Sequence, residues 1–178
     1  MALEYRHLDH VTRQLMLAEI ANDIGTNQLY FSPRLSQLGI GGWAALLAEA
    51  ARDNHDGWLA LEIQRRRFLN AMEQRRHSNG NVTMAKVPVT AHETLAEGEF
   101  NRFYMRAICL RALETNGQPI VFRARFSRTP RPESERLIGQ PFEPDALLAQ
   151  LRAIPSTDQA LGMPPGPNSG LSIHLPER

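Results

Sequence analysis

Arginine is the side chain with the most chemistry to offer in this chain. Nineteen of the twenty basic residues are arginine, with Lys86 the one lysine. A guanidinium presents a rigid planar fork that matches carboxylates and phosphates, whereas an ammonium is a point charge on a flexible stem. A GC-rich coding bias would give the same preference without any function. Six arginines are candidates for holding an anion or a partner: Arg102, Arg106, Arg111, Arg123, Arg125 and Arg128. On a helical wheel at about 100° per residue, Phe100, Phe103, Tyr104, Ala107, Ile108 and Leu110 form one apolar sector. Arg102 and Arg106 fall opposite it, with Glu99 at pairing distance from Arg102. Arg111 falls inside the apolar sector, so it needs a carboxylate such as Glu133 or Glu135, an escape past the helix end, or a bound anion. Arg123 and Arg125 share one face of an alternating segment, and Arg128 prolongs the positive character into a loop.

Other reactive residue types are present without the spacing that chemistry requires. His7 and His10 are three apart, but no Cys or acidic ligand completes a metal set beside them. Cys109 lies on the arginine side of its helix, where a lowered thiol pKa is conceivable, yet no nucleophile signature surrounds it. Gly39-Ile40-Gly41-Gly42 precedes a helix but lacks the Lys-Ser/Thr ending of a phosphate loop and the spacing of a dinucleotide fingerprint. Neither a Gly-x-Ser-x-Gly elbow nor a His-Glu-x-x-His motif occurs. No catalytic residue, metal ligand or cofactor site is therefore assigned.

The elements that must carry these residues follow from periodicity. Apolar residues at helical steps predict a helix over 8–24, ended by Gly25 and Asn27. A short extended piece at 28–33 and a glycine-rich loop at 36–42 come next. Residues 43–52 and 58–76 read as a helical hairpin, with Asp56 capping the second helix. A break is expected at 77–81. A strand with Pro88 near its end follows at 82–89. Thr90 and Glu93 resemble a capping box for a helix running from Ala91 to Thr115. Residues 118–126 alternate as a strand, with Ile120, Phe122, Ala124 and Phe126 facing a core and Val121, Arg123 and Arg125 facing away. A short helix is expected at 146–153. The fold class is thus α+β: a helical N-terminal half packed with a small antiparallel or mixed sheet and a long central helix. Residues 1–154 form the domain, and 155–178 form an extended Pro-rich arm with a strand at 171–175.

Charge is unevenly distributed. Residues 1–60 carry four arginines against seven acids, residues 61–136 fourteen basic against eight acidic, and residues 137–178 two against four. The Arg65-Arg66-Arg67 run, with Arg75 and Arg76, reads as a solvated helix surface. The N-terminus has no signal-peptide layout and no apolar run spans a bilayer, so no membrane partner is expected. With one cysteine there is no internal disulfide, which fits a reducing compartment.

The stretch Glu97-Gly98-Glu99-Phe100-Asn101-Arg102-Phe103-Tyr104-Met105-Arg106, with Arg131-Pro132-Glu133-Ser134-Glu135 and Pro165-Gly166-Pro167-Asn168-Ser169-Gly170, resembles uncharacterised phage and prophage proteins encoded near virion-structure genes. The likeness spans residues 80–172. It implies a non-enzymatic structural or interaction protein of a virion, in the head or the neck and connector region. Such a protein would act through oligomerisation and its C-terminal arm, and would reside in the virion or, before assembly, in the host cytoplasm. Two alternatives stand beside it: a nucleic-acid-binding accessory protein using the Arg-rich helix and strand face, and an enzyme with an anion site near Arg111.

Overall fold

The computed structural model describes residues 2–76 and 80–176. The class is α+β, about 51% helical and 12% strand, as the periodicity predicts. Helix α1 (His10–Gly25) starts where the Asp9 carboxylate accepts from the Thr12 amide at 2.9 Å, and ends before Asn27, which takes a left-handed φ of 56°.

Helix α2 (Gln37–Asp53) begins six residues earlier than expected. Ser36 caps it by accepting from the Gly39 amide, so the glycines read as a loop are helical. Their role is close packing. A Cβ on Gly39 would lie 2.2 Å from the Phe68 carbonyl oxygen, and one on Gly42 would meet the Phe68 ring at 2.4 Å. The Ser36 amide donates to that same carbonyl at 2.8 Å.

This docking also explains why the second helix of the hairpin is short. α3 (Asp56–Arg65) is capped by His55, not Asp56, and stops where Arg67 turns left-handed at φ 55°. Phe68 then swings back, buried, onto α2. Beyond it, β1 (Met72–Arg76) pairs antiparallel with β2 (Val82–Lys86), from Met72 opposite Lys86 to Arg76 opposite Val82. Residues 72–76, expected as helix, are strand because cross-strand pairing overrides local propensity. The break expected at 77–81 lies partly outside the described residues.

Helix α4 (Ala91–Glu114) is the axis of the fold, against which α1, α3 and α6 pack. Thr90 gives it no side-chain cap, so the capping-box reading does not hold. Every residue from Glu99 to Cys109 is buried. A helix covered on all sides has no solvent face, and the wheel's opposition of apolar and arginine sectors dissolves.

β3 (Ile120–Arg123) is shorter than the 118–126 reading and has both faces covered. Val121 enters the main core, while Phe122 and Ala124 form a smaller cluster with Leu3. Phe126, expected inside, is 75% exposed. The loop after it contains α5 (Pro132–Leu137), and α6 (Pro144–Ala153) follows.

The C-terminal residues do not project as an arm. α7 (Thr157–Ala160) turns the chain back, and β4 (Leu171–His174) pairs antiparallel with β3, Arg123 lying opposite Leu171 and Ile120 opposite His174. Leu161, Met163, Leu171 and Ile173 are buried in the main core. The prolines between them are held from outside, because Arg131 donates to the carbonyls of Pro164 (2.7 Å) and Pro167 (3.4 Å).

The glycine packing gives a paired test. Gly39→Ala forces a methyl group into a backbone carbonyl and should destabilise the protein by about 2 kcal/mol or more. Gly41→Ala, where a Cβ meets nothing within 4 Å in the same helix, should stabilise it by about 0.5–1 kcal/mol. Denaturant unfolding of the two variants measures both signs.

Candidate functional site

Five of the six candidate arginines are engaged inside the molecule. Arg102 and Arg106, placed on the solvent side by the wheel, are 2% and 0% exposed. Arg102 donates to Glu99 at 2.6 Å and to the Leu151 carbonyl at 3.5 Å. Arg106 donates to Asp23 of α1 at 2.8 Å and twice to the Leu151 carbonyl, at 3.2 and 3.1 Å. Leu151 lies in the last turn of α6, where carbonyls have no intrahelical partner and the helix dipole favours a cation. Glu19 lies 3.6 Å from Arg106 and accepts from Arg152 at 3.0 Å. Both guanidinium groups also stand over the Phe103 ring, at 4.9 and 4.7 Å. The pair at Arg102 and Glu99, foreseen from their spacing, therefore forms in the interior. Burial raises the Glu99 pKa despite the neighbouring Arg102.

Arg111 is held by neither Glu133 nor Glu135. It donates to Asp9 at 2.8 Å and to the Thr12 hydroxyl at 2.7 Å. Burial alone would raise the Asp9 pKa, but the Thr12 amide and the Arg111 hydrogen bonds outweigh it and lower the value. The off-pattern arginine thus ties the start of α1 to the end of α4. Arg123 takes Glu135, the Ser134 hydroxyl and the Ser169 carbonyl. Arg125 takes Glu97 in a two-pronged pair at 2.9 and 3.2 Å, and the Asn168 carbonyl. Of the six, Arg128 alone is classed as exposed. The basic helix–strand face read from sequence is a set of internal ties and does not form one open surface.

The other candidates resolve similarly. Cys109 is buried, and desolvation pushes its thiol up to about 12, opposite to the lowered value conceivable from its place on the wheel. Among the described residues no group of three or more His, Cys, Asp or Glu side chains could hold a metal ion. No described helix is long and apolar enough to cross a membrane.

Two features that sequence reading did not single out remain open to the outside. The first is the β1–β2 ribbon, whose strands pack chiefly on each other and are tethered by Arg34, which donates to Glu73 at 2.6 Å. One face aligns Met72, Gln74 and Arg76 with Val82, Met84 and Lys86, all exposed. The sequence pattern places Arg75 and Arg76 on a helix, whereas the structure places them in β1.

The second is a cleft of about 800 Å³ between the start of α3, the start of α4 and the residues after β3. Trp58, Leu61 and Phe126 form apolar walls, and Asp56, His92, Glu97 and Arg125 also line it. Asp56 is 3% exposed; its Oδ2 accepts from the Leu3 amide at 3.0 Å, while its buried Oδ1 has no hydrogen-bond partner among the described residues. Desolvation raises the pKa of Asp56, against the Leu3 amide that donates to it. Glu97 is also raised by burial, against its pairing with Arg125. The sequence marks Asp56 only as a helix cap, because its partner, the Leu3 amide, lies 53 residues away.

Removing one buried partner should be costly. Arg106→Ala leaves Asp23 without its donor and the Leu151 carbonyl with only the 3.5 Å bond from Arg102, and should cost about 3–5 kcal/mol. Arg106→Lys should recover only part, since one ammonium cannot reproduce the planar fork. Thermal unfolding of both variants reads the difference. The buried thiol gives a second expectation: at pH 8, modification of Cys109 by a thiol-specific reagent should track global unfolding, and prompt reaction in the folded state would contradict the burial. A comparison of the chain with protein-family models found no match, and searches of curated proteins and of solved structures found none either.

Proposed function

We propose that this chain is a non-enzymatic structural and interaction protein, a component of a phage particle, and that the β1–β2 ribbon is its contact element. The observation that carries this reading is the ribbon's outward face. Met72, Val82 and Met84 are 41%, 52% and 59% exposed, side by side with Arg76 and Lys86. A two-stranded ribbon is marginal by itself, and its outer edges are templates for further pairing. Arg and Met are enriched at protein interfaces, and the cations favour an acidic protein surface as the partner. Two ribbons of like charge would repel, so the contact is with another protein of the particle. The particle setting rests on the resemblance of residues 97–106, 131–135 and 165–170 to phage proteins.

The C-terminal residues, first suited to reach a neighbour, support this role differently: they lock the body from which the ribbon extends. A nucleic-acid reading is favoured by Arg75, Arg76 and Lys86, but phosphate contact leaves the three apolar side chains unexplained.

Expressed in a host that makes the particles, the wild-type chain should co-sediment with purified particles. A Val82→Glu/Met84→Glu variant alters exposed positions only, so it should fold within about 0.5 kcal/mol of wild type. Its particle-bound fraction should drop about ten-fold. Retention of the variant at wild-type level, or absence of the wild-type chain from particles, would overturn the proposal. Binding to duplex DNA that weakens steeply with salt, and that Arg76→Ala/Lys86→Ala abolishes, would favour the nucleic-acid reading instead.

A further inference from the structure

The cleft beside α3 has an unmet requirement that names its ligand. Asp56 Oδ1 is buried, accepts no well-formed hydrogen bond from the described residues, and belongs to a residue that lines the cleft. His55 Nδ1 lies 3.9 Å away but already accepts from the Gly57 and Trp58 amides, at 3.1 and 3.4 Å. A ring nitrogen that accepts cannot also donate, so His55 does not satisfy the carboxylate. Arg125, the one arginine or lysine among the described lining residues, is engaged by Glu97 and the Asn168 carbonyl. A carboxylate oxygen left in this state disfavours the folded protein, and such costs are retained where a ligand relieves them.

We propose that this cleft binds an organic cation, an ammonium or guanidinium group carried on an apolar body. Its N–H groups would supply the donor that Asp56 lacks. Among the described lining residues, Asp56, Glu93 and Glu97 stand against Arg125, which repels anions and attracts a cation. The apolar body would lie on Trp58, Leu61 and Phe126. Leu61 and Phe126 are 64% and 75% exposed, so they offer apolar surface for such a body to cover. The aromatic rings add attraction for the cation itself. Burial, which raises the pKa of both Asp56 and Glu97, excludes water from the same floor and strengthens a charge pair formed there. This site is independent of the ribbon.

The cation could be a free amine or a basic side chain of another polypeptide, and the test separates the two. Phenethylamine and the capped dipeptide acetyl-Leu-Arg-amide are titrated into the full-length protein, following the Trp58 indole N–H by nitrogen–proton NMR. Saturable shifts are expected, with 2-phenylethanol, the neutral analogue, at least about ten-fold weaker. Tighter phenethylamine binding assigns a free amine; tighter dipeptide binding assigns a basic side chain. Asp56→Asn should weaken binding about ten-fold, while Glu62→Gln, outside the cleft, should not change it. Should Asp56→Asn fail to fold, Phe126→Ala at its exposed position should still weaken phenethylamine about three-fold. No saturable shift with either cation, or equal binding of the neutral alcohol, would overturn the proposal.

Discussion

Two guanidinium groups buried on a central helix set the terms for everything around them. An arginine cannot shed its charge in the interior, so Arg102 and Arg106 must be met by acceptors fixed in place. Those acceptors come from three directions: Glu99 on the same helix, Asp23 on α1, and the end of α6 at Leu151. The last is economical, because a single carbonyl at a helix terminus receives both side chains. The helices thereby gain a register that apolar contacts alone would leave loose. Leu and Ile tolerate sliding, whereas a charge pair displaced by an ångström or two loses its hydrogen bonds.

The same logic recurs at lower burial around the periphery. Arg111 joins two helix termini, Arg123 and Arg125 tie β3 to the loop before β4, and Arg131 holds the proline segment. Arginine is thus used here as a connector between elements distant in sequence. That leaves the outward chemistry to regions without such ties. One is a ribbon that its own body barely touches; the other is a cleft whose floor carries an acceptor without a donor.

Helix positions were legible where a periodic pattern met a real stop signal. The ends of α1 at Gly25 and α4 at Glu114 follow from Asn27 and from the Asn116-Gly117 turn. Local reading failed where a distant partner decided the outcome. Residues 72–76 have helical propensity and become strand only because 82–86 lie opposite. Gly39 and Gly42 looked like loop formers because their reason for being glycine, Phe68, lies 26 and more residues on. The wheel of α4 misplaced Arg102 and Arg106 because it assumes a solvent face, and the helix has none over Glu99–Cys109. The cleft was invisible for a simpler reason: its residues come from 2, 55–61, 92–97, 125–126 and 167–168, and no spacing rule links them.

The pairing of β4 with β3 bears on the order of synthesis. Asn101, buried in the middle of α4, finds its acceptor and donor partners only in Leu171 and Ser172. On a ribosome, Asn101 is made some seventy residues before the chain that satisfies it. Until then the nascent protein holds an exposed core and an unanswered amide, and its unfinished state invites chaperones and proteases. Without residues 171–174 the Asn101 side chain loses its partners and the core loses Leu171 and Ile173, so the burial of the central helix waits on a strand made long after it.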